Sequence, residues 1–230
     1  ARGVVHVAPA GVSRRRLSIE ECERLIACLP RGWHDAGEVI LLTGLRIGEL
    51  LALTPDSIDT GSRVLHVTAT RGHGSRVGSP KTASSRRVVH LTPRACQLLE
   101  ARCTLTRPGE FLWPGSVTGA AADAMRHAKK EAGLQIRGVG WHALRHAATM
   151  LMDRAGLPLR ASAQQLGHGA HTAMTMGYGW AAEGADVARL DEVRTRHAAP
   201  GAPGTVGHAE SRGPASGAPG APGPPPPATG

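Results

Sequence analysis

The sequence predicts an α+β chain that is mainly helical, with one short β insertion. Apolar residues recur at helical spacing through most of residues 17–166, whereas between about residues 63 and 91 the period shortens to strand-like runs. At 230 residues the chain can bury one good-sized core without a disulfide or metal staple.

Residues 1–16 read as an irregular basic lead ending in Arg14-Arg15-Arg16. Ser18 then fits a helix N-cap, with Glu21 at the capping-box position, and Leu25, Ile26 and Leu29 line the apolar side of a first helix. Residues 39–53 predict a second helix, apolar enough to be buried. After Pro55, the runs Val64, Leu65, Val67 and Val88, Val89, Leu91 read as short strands joined through the Gly-rich stretch 72–78, whose glycines suit a hairpin tip. Helical spacing returns at residues 93–102, 117–132, 142–155 and 159–166, with breaks at Gly133, Gly138 and Gly140. From Pro200 the composition collapses to Gly, Ala, Pro and Ser. Nothing there buries enough apolar surface to offset its ordering entropy, so residues 199–230 predict a disordered tail.

Lys+Arg 27 against Asp+Glu 18 favours a polyanionic partner, although a solvated basic face would carry the same excess. Cys22, Cys28, Cys96 and Cys103 lack a CxxC pair or zinc-ribbon spacing and predict reduced, buried thiols. No apolar run is long enough to span a bilayer, and Ala1-Arg2-Gly3 begins no signal pattern. The expectation is a cytoplasmic protein with no membrane partner.

Five segments carry candidate chemistry: Thr43-Gly44-Leu45-Arg46-Ile47-Gly48-Glu49-Leu50; Lys81 in Pro80-Lys81-Thr82, ahead of Arg86-Arg87; His142-Ala143-Leu144-Arg145-His146; Leu166-Gly167-His168; and Tyr178, the sole tyrosine. In kind and order they resemble the first arginine motif, hairpin lysine, HxxRH box, LGH box and nucleophile of the tyrosine recombinase (phage integrase) family. The resemblance covers residues 17–196. Gly177 and Gly179 flank the tyrosine, and Trp180 stands where the family often has His.

The resemblance implies a catalytic domain over residues 17–198, mainly helical with a small antiparallel sheet near residues 63–91. Its implied reaction is site-specific breakage and rejoining of DNA through a 3′-phosphotyrosyl bond to Tyr178. Arg46, His142, Arg145 and His168 would surround the phosphate, and Lys81 would protonate the leaving 5′ oxygen. The implied partner is double-stranded DNA, bound by a homo-tetramer that is monomeric when free, with no cofactor or metal. Family members usually carry a separate helical domain ahead of this one, and only a short basic lead precedes Leu17; the expectation is a truncated or remnant integrase, or a fragment of a longer enzyme. The alternatives are a catalytically inactive DNA-binding module and a type IB topoisomerase-like relaxing enzyme.

The residue types suit this chemistry on their own terms. Displacing an alkoxide from a phosphodiester without metal needs a nucleophile, fixed positive charge on the nonbridging oxygens and a proton donor for the leaving oxygen. Arg46 and Arg145 offer planar, permanently charged forks. His142 and Arg145, three apart, share a helix face. Lys81, one of three lysines in an Arg-rich chain, can release a proton that Arg cannot. Other readings stay open. Lys81 could belong to a solvated basic hairpin, Tyr178 could pack at a helix end, and Glu49 could orient Arg46 or be a plain surface charge. His142 and His146, four apart, could ligate zinc, although Ala143 stands where a metalloprotease needs Glu.

Overall fold

A computed structural model describes residues 16–72, 77–78, 86–134, 138–167 and 184–198. The expected lead (up to residue 15), the tail from residue 199, and Lys81, His168 and Tyr178 lie outside these described residues. The expected α+β architecture is present: α-helices pack with a small antiparallel sheet.

Helix α1 (Ile19–Ala27) starts where its capping box requires, with Ser18 Oγ accepting from Glu21 N at 3.2 Å and Glu21 accepting from Ser18 N at 3.0 Å. Its buried face of Ile19, Cys22, Leu25 and Ile26 meets α2 (His34–Thr43), α5 (Ala120–Glu131) and α6 (Trp141–Arg154). The long second helix expected over residues 39–53 is instead two helices. Gly44 ends α2 in the left-handed conformation (φ +70°), a state that costs any side chain with a Cβ, and α3 (Ile47–Leu50) restarts after a three-residue turn. Apolar spacing continues across the break because both pieces are buried, which is why periodicity alone joins them.

Strands β1 (Ile58–Asp59), β2 (Val64–Val67) and β5 (Arg87–His90) form an antiparallel sheet in that order, with Leu65 opposite Val89. A separate pair, β3 (Thr70–Arg71) with β4 (Val77–Gly78), extends from it as a hairpin that the sequence marks only as Gly-rich. Helix α3 approaches β3 so closely that a Cβ on Gly48 would lie 2.7 Å from the Arg71 carbonyl, so only glycine permits this packing.

Helix α4 (Pro93–Thr104) is capped by Thr92, and α6 runs through the middle of the domain against α2, α1, α7 (Leu159–Leu166) and α8 (Gly184–Ala198). The core is continuous from Leu25 and Leu41 through Leu65 and Trp113 to Leu144, Leu151 and Leu190. Helix α8 was not signalled in the sequence. Arg194 ties it down, bonding Glu23 on α1 (2.5 and 2.9 Å) and buried Glu38 on α2 (2.7 Å), while Asp191 accepts from the Arg94 backbone N–H at 2.8 Å.

All four cysteines are free thiols. Cys22 and Cys96 are buried as expected, and burial pushes the Cys22 thiol up to about 12. Cys28 and Cys103 are only half-buried, Cys28 as the C-cap of α1 and Cys103 in the last turn of α4. Among the described residues no helix is long and apolar enough to cross a membrane.

Candidate active site

The turn between α2 and α3 builds one half of the site. Arg46 precedes α3 in extended backbone, and its amide donates to Glu49 Oε2 at 2.9 Å while its Nη1 donates to Glu49 Oε1 at 2.8 Å. Glu49 is 4% exposed and also receives both Nη atoms of Arg87 on β5, at 3.2 and 3.0 Å. Burial alone would raise the Glu49 carboxyl, but the hydrogen bonds and charge of Arg87, then the hydrogen bonds of Arg46, hold it below the usual carboxylate value. Glu49 is therefore an ionised tie between two guanidiniums, which decides between the two readings left open for it.

Helix α6 supplies the other half. Arg145 is 4% exposed; its Nη1 donates to the Gly44 carbonyl and its Nη2 to the Leu166 carbonyl at 2.6 Å. The first acceptor exists because α2 stops at Gly44, and the second because α7 stops at Leu166, so each helix end leaves a carbonyl that Arg145 satisfies. Burial, with the neighbouring charge of Arg46, lowers the Arg145 pKa to about 10, so the group stays cationic at neutral pH. Arg46 points the other way: its side chain is 45% exposed.

Arg46, His142 and Arg145 line one cavity of about 520 Å³, together with His146 and Arg16. Three of the six predicted site residues are thereby brought together from two helix termini far apart in the chain. The His142 and His146 rings meet edge to face, centroids 4.4 Å apart. Burial lowers both pKa values below the ordinary histidine value; His146 and Arg145 lower His142 further, and Arg16 and Arg145 lower His146. Both imidazoles are thereby biased toward their neutral form. Among the described residues no three His, Cys, Asp or Glu side chains gather as metal ligands.

Helix α7, which leads toward the LGH segment, is fastened to β5 in peptide-like fashion. The Gln165 carboxamide accepts from His90 N at 3.1 Å and donates to His90 O at 2.6 Å, and Arg87 Nε donates to the Gln165 carbonyl at 2.9 Å. Arg87 and Gln165 escaped the sequence reading. Arg87 sits beside an apolar run and Gln165 within a helix, so neither carries local spacing that reports a partner across the fold. The contact between α3, β5 and α7 is what reveals them.

Comparison with known proteins places the sequence and the fold. The model of the phage integrase family matches residues 15–183. The chain is 30% identical over 161 residues to the integrase/recombinase-like protein y4qK of Sinorhizobium fredii, covering 66% of this chain and 48% of that protein. It is 36% identical over 136 residues to tyrosine recombinase XerC of Alcanivorax borkumensis, covering 57% and 42%. The chain thus spans about half the length of the curated relatives it matches. The same fold occurs in the Tn1549 transposon integrase, solved with circular-intermediate DNA (TM-score 0.60, 22% identity, 79% of this chain and 67% of that one), and in XerA recombinase (0.52, 23%, 79% and 65%). Since the matched stretch takes in all five motif segments and most of the folded core, the chain belongs to the phage integrase family of tyrosine recombinases.

Proposed function

We propose that this chain is the catalytic domain, spanning residues 17–198, of a site-specific DNA recombinase that cuts and rejoins strands through Tyr178. The observation carrying this is the convergence of Arg46, His142 and Arg145 on one solvent-open cavity, with Glu49 and two helix-end carbonyls fixing the guanidiniums. Such preorganised charge is what a phosphodiester needs as negative charge builds on its nonbridging oxygens. In this reading the Tyr178 phenol gives up its proton to water as its oxygen bonds to phosphorus, and the bond to the 5′ oxygen breaks. Lys81 gives that oxygen its proton, leaving a 3′-phosphotyrosyl enzyme and a free 5′ hydroxyl. His168 completes the bonding around the phosphate. Reversal by a 5′ hydroxyl of another strand restores the phosphodiester, and because the phosphotyrosyl bond keeps the energy of the broken linkage, no ATP or metal is required. Strand exchange between two sites involves a DNA-bound tetramer of chains that are monomeric when free.

The test is incubation with duplex carrying a nick just beyond the cleavage position, so that the 5′-terminal product diffuses away. A denaturation-resistant protein–DNA adduct is expected from the parent chain and none from Tyr178→Phe. DNA binding without adduct assigns the chain as an inactive binding module. Adduct formation with supercoil relaxation but no Holliday junctions from paired sites assigns it to the topoisomerase-like class.

A further inference from the structure

A second cavity, of about 750 Å³, opens where strand β3, the C-terminal end of α4 and the chain that follows α4 meet, and it shares no lining residue with the cavity of Arg46. Two guanidiniums hold the segment 111–113 there. Arg71 lies over the Phe111 ring, 4.2 Å from its centroid, and its Nη1 donates to the carbonyls of Leu51 and Trp113 at 3.2 and 3.5 Å. Arg102 lies over the Trp113 ring at 5.2 Å, and its Nε donates to the Leu112 carbonyl at 2.8 Å. Arg71 is 7% exposed, yet its Nε has no acceptor, and neither guanidinium meets a carboxylate among the described residues. Carbonyls and ring faces supply dipoles but no counter-charge, and a cation withdrawn from water stays costly until one arrives. Leu105, 83% exposed, together with Phe111, Leu112 and Pro114 makes much of the remaining wall apolar. The one carboxylate among the described lining residues, Glu110, is 58% exposed and lies 4.0 Å from Arg107, so water screens it.

We propose that this cavity binds a small apolar molecule carrying one carboxylate, which pairs with the buried Arg71 guanidinium while Arg102 adds to the positive field and the carbon skeleton lies on Phe111 and the neighbouring leucines. A cavity of this size suits such a ligand. Two guanidiniums against one screened carboxylate favour a monoanion over a dianion. A backbone phosphate fixed in a duplex cannot leave its strand to reach a guanidinium recessed behind a mostly apolar wall. The site is independent of the strand-transfer reading, but it adjoins the same framework. Arg71 ends β3 and bonds the carbonyl of Leu51, the C-cap of α3, so an occupied cavity fastens the base of the β3–β4 hairpin to the helix that follows Arg46.

Phe111 is the only phenylalanine in the chain, so labelling with para-fluorophenylalanine gives the full chain a single fluorine reporter in the cavity wall. The probe is phenylbutyrate, compared with its uncharged amide, phenylbutyramide. The acid is expected to shift the fluorine resonance saturably, and the amide to bind about tenfold more weakly. Arg102→Gln should weaken binding of the acid by a similar factor, and Glu110→Gln, which removes a like charge, should tighten it by about twofold. The proposal is overturned if the acid gives no saturable shift by about 10 mM, if the amide binds as tightly, or if folded Arg102→Gln binds the acid as the parent does. Displacement of the acid by a lower concentration of inorganic phosphate, or by a short DNA duplex, would assign the cavity to phosphate and equally overturn it. The comparison of acid with amide needs only the parent chain, so it decides the matter even if Arg102→Gln fails to fold. Adduct formation with nicked DNA is measured separately, and its outcome leaves this result unchanged.

Discussion

Replacing Glu49 by Gln removes one charge and almost no volume, and it isolates the tie between the two halves of the site. In the parent chain the buried carboxylate accepts from Arg87 twice and from Arg46 twice, once through its amide. The Arg46 side chain is half in water, so its pair is screened and contributes little. The Arg87 pair is buried on both sides, with each side chain 5% exposed, and breaking it takes the Glu49 charge away from a buried guanidinium. Removing one partner of such a pair costs about 3–5 kcal/mol; Gln keeps one acceptor, so about 3 kcal/mol is expected. For a folded unit of this size that lowers Tm by about 6–12 °C, or the urea midpoint by about 1.5 M. The effect also has a pH signature. The folded-state pKa of Glu49 is depressed, so its contribution is present above the unfolded carboxylate value and disappears as pH falls through the folded value. Urea titrations of parent and Glu49→Gln chains at several pH values should show the gap closing in acid. A gap below about 1 kcal/mol at neutral pH, or one that stays constant into acid, would refute the carboxylate as the tie.

Two further outcomes follow from the same geometry. Gly44→Ala forces a Cβ into the left-handed region and against Leu166 Cδ2, and shifts the carbonyl that Arg145 bonds. A stability loss of about 2 kcal/mol in urea titration, with a larger fractional loss of adduct rate, is expected; unchanged adduct formation would show that this carbonyl does not position Arg145. The lowered pKa values of His142 and His146 give two opposite pH dependences. The folded state disfavours the imidazolium, so stability falls as pH drops below about 6.5 and levels off under the folded values. A phosphate favours the imidazolium, so DNA affinity at fixed ionic strength rises over that window, among the fixed charges of Arg16, Arg46, Arg145 and Asp153. Anisotropy titrations showing affinity flat or falling on acidification would count against the imidazoles as phosphate contacts.

What the sequence discloses here is local, and what it conceals is long-range. The Ser18–Glu21 cap, the strands at Val64 and Val88 and the shared face of His142 and Arg145 are all written within a few residues, and the structure repeats them. Helix α8 is different. Its apolar stripe of Val187, Leu190 and Val193 is thin, and its attachment depends on Glu23 and Glu38, which the chain places far upstream. The break at Gly44 is hidden from apolar spacing because burial on both sides of it preserves that spacing, while the left-handed turn leaves no mark beyond the glycine itself. The Arg87 and Gln165 contacts join β5 to α7 across the fold, and neither residue signals its partner by spacing.

The central claim is that the phenol of Tyr178 becomes bonded to the DNA strand. Digesting the adduct with trypsin and nuclease and sequencing the nucleotide-bearing peptide by mass spectrometry tests this directly, since Tyr178 is the only tyrosine in the chain. The account predicts the added mass on Tyr178, attached through a 3′ phosphate, with a free 5′ hydroxyl on the released strand. Attachment at any other residue, or a 5′-phosphate linkage, would contradict it.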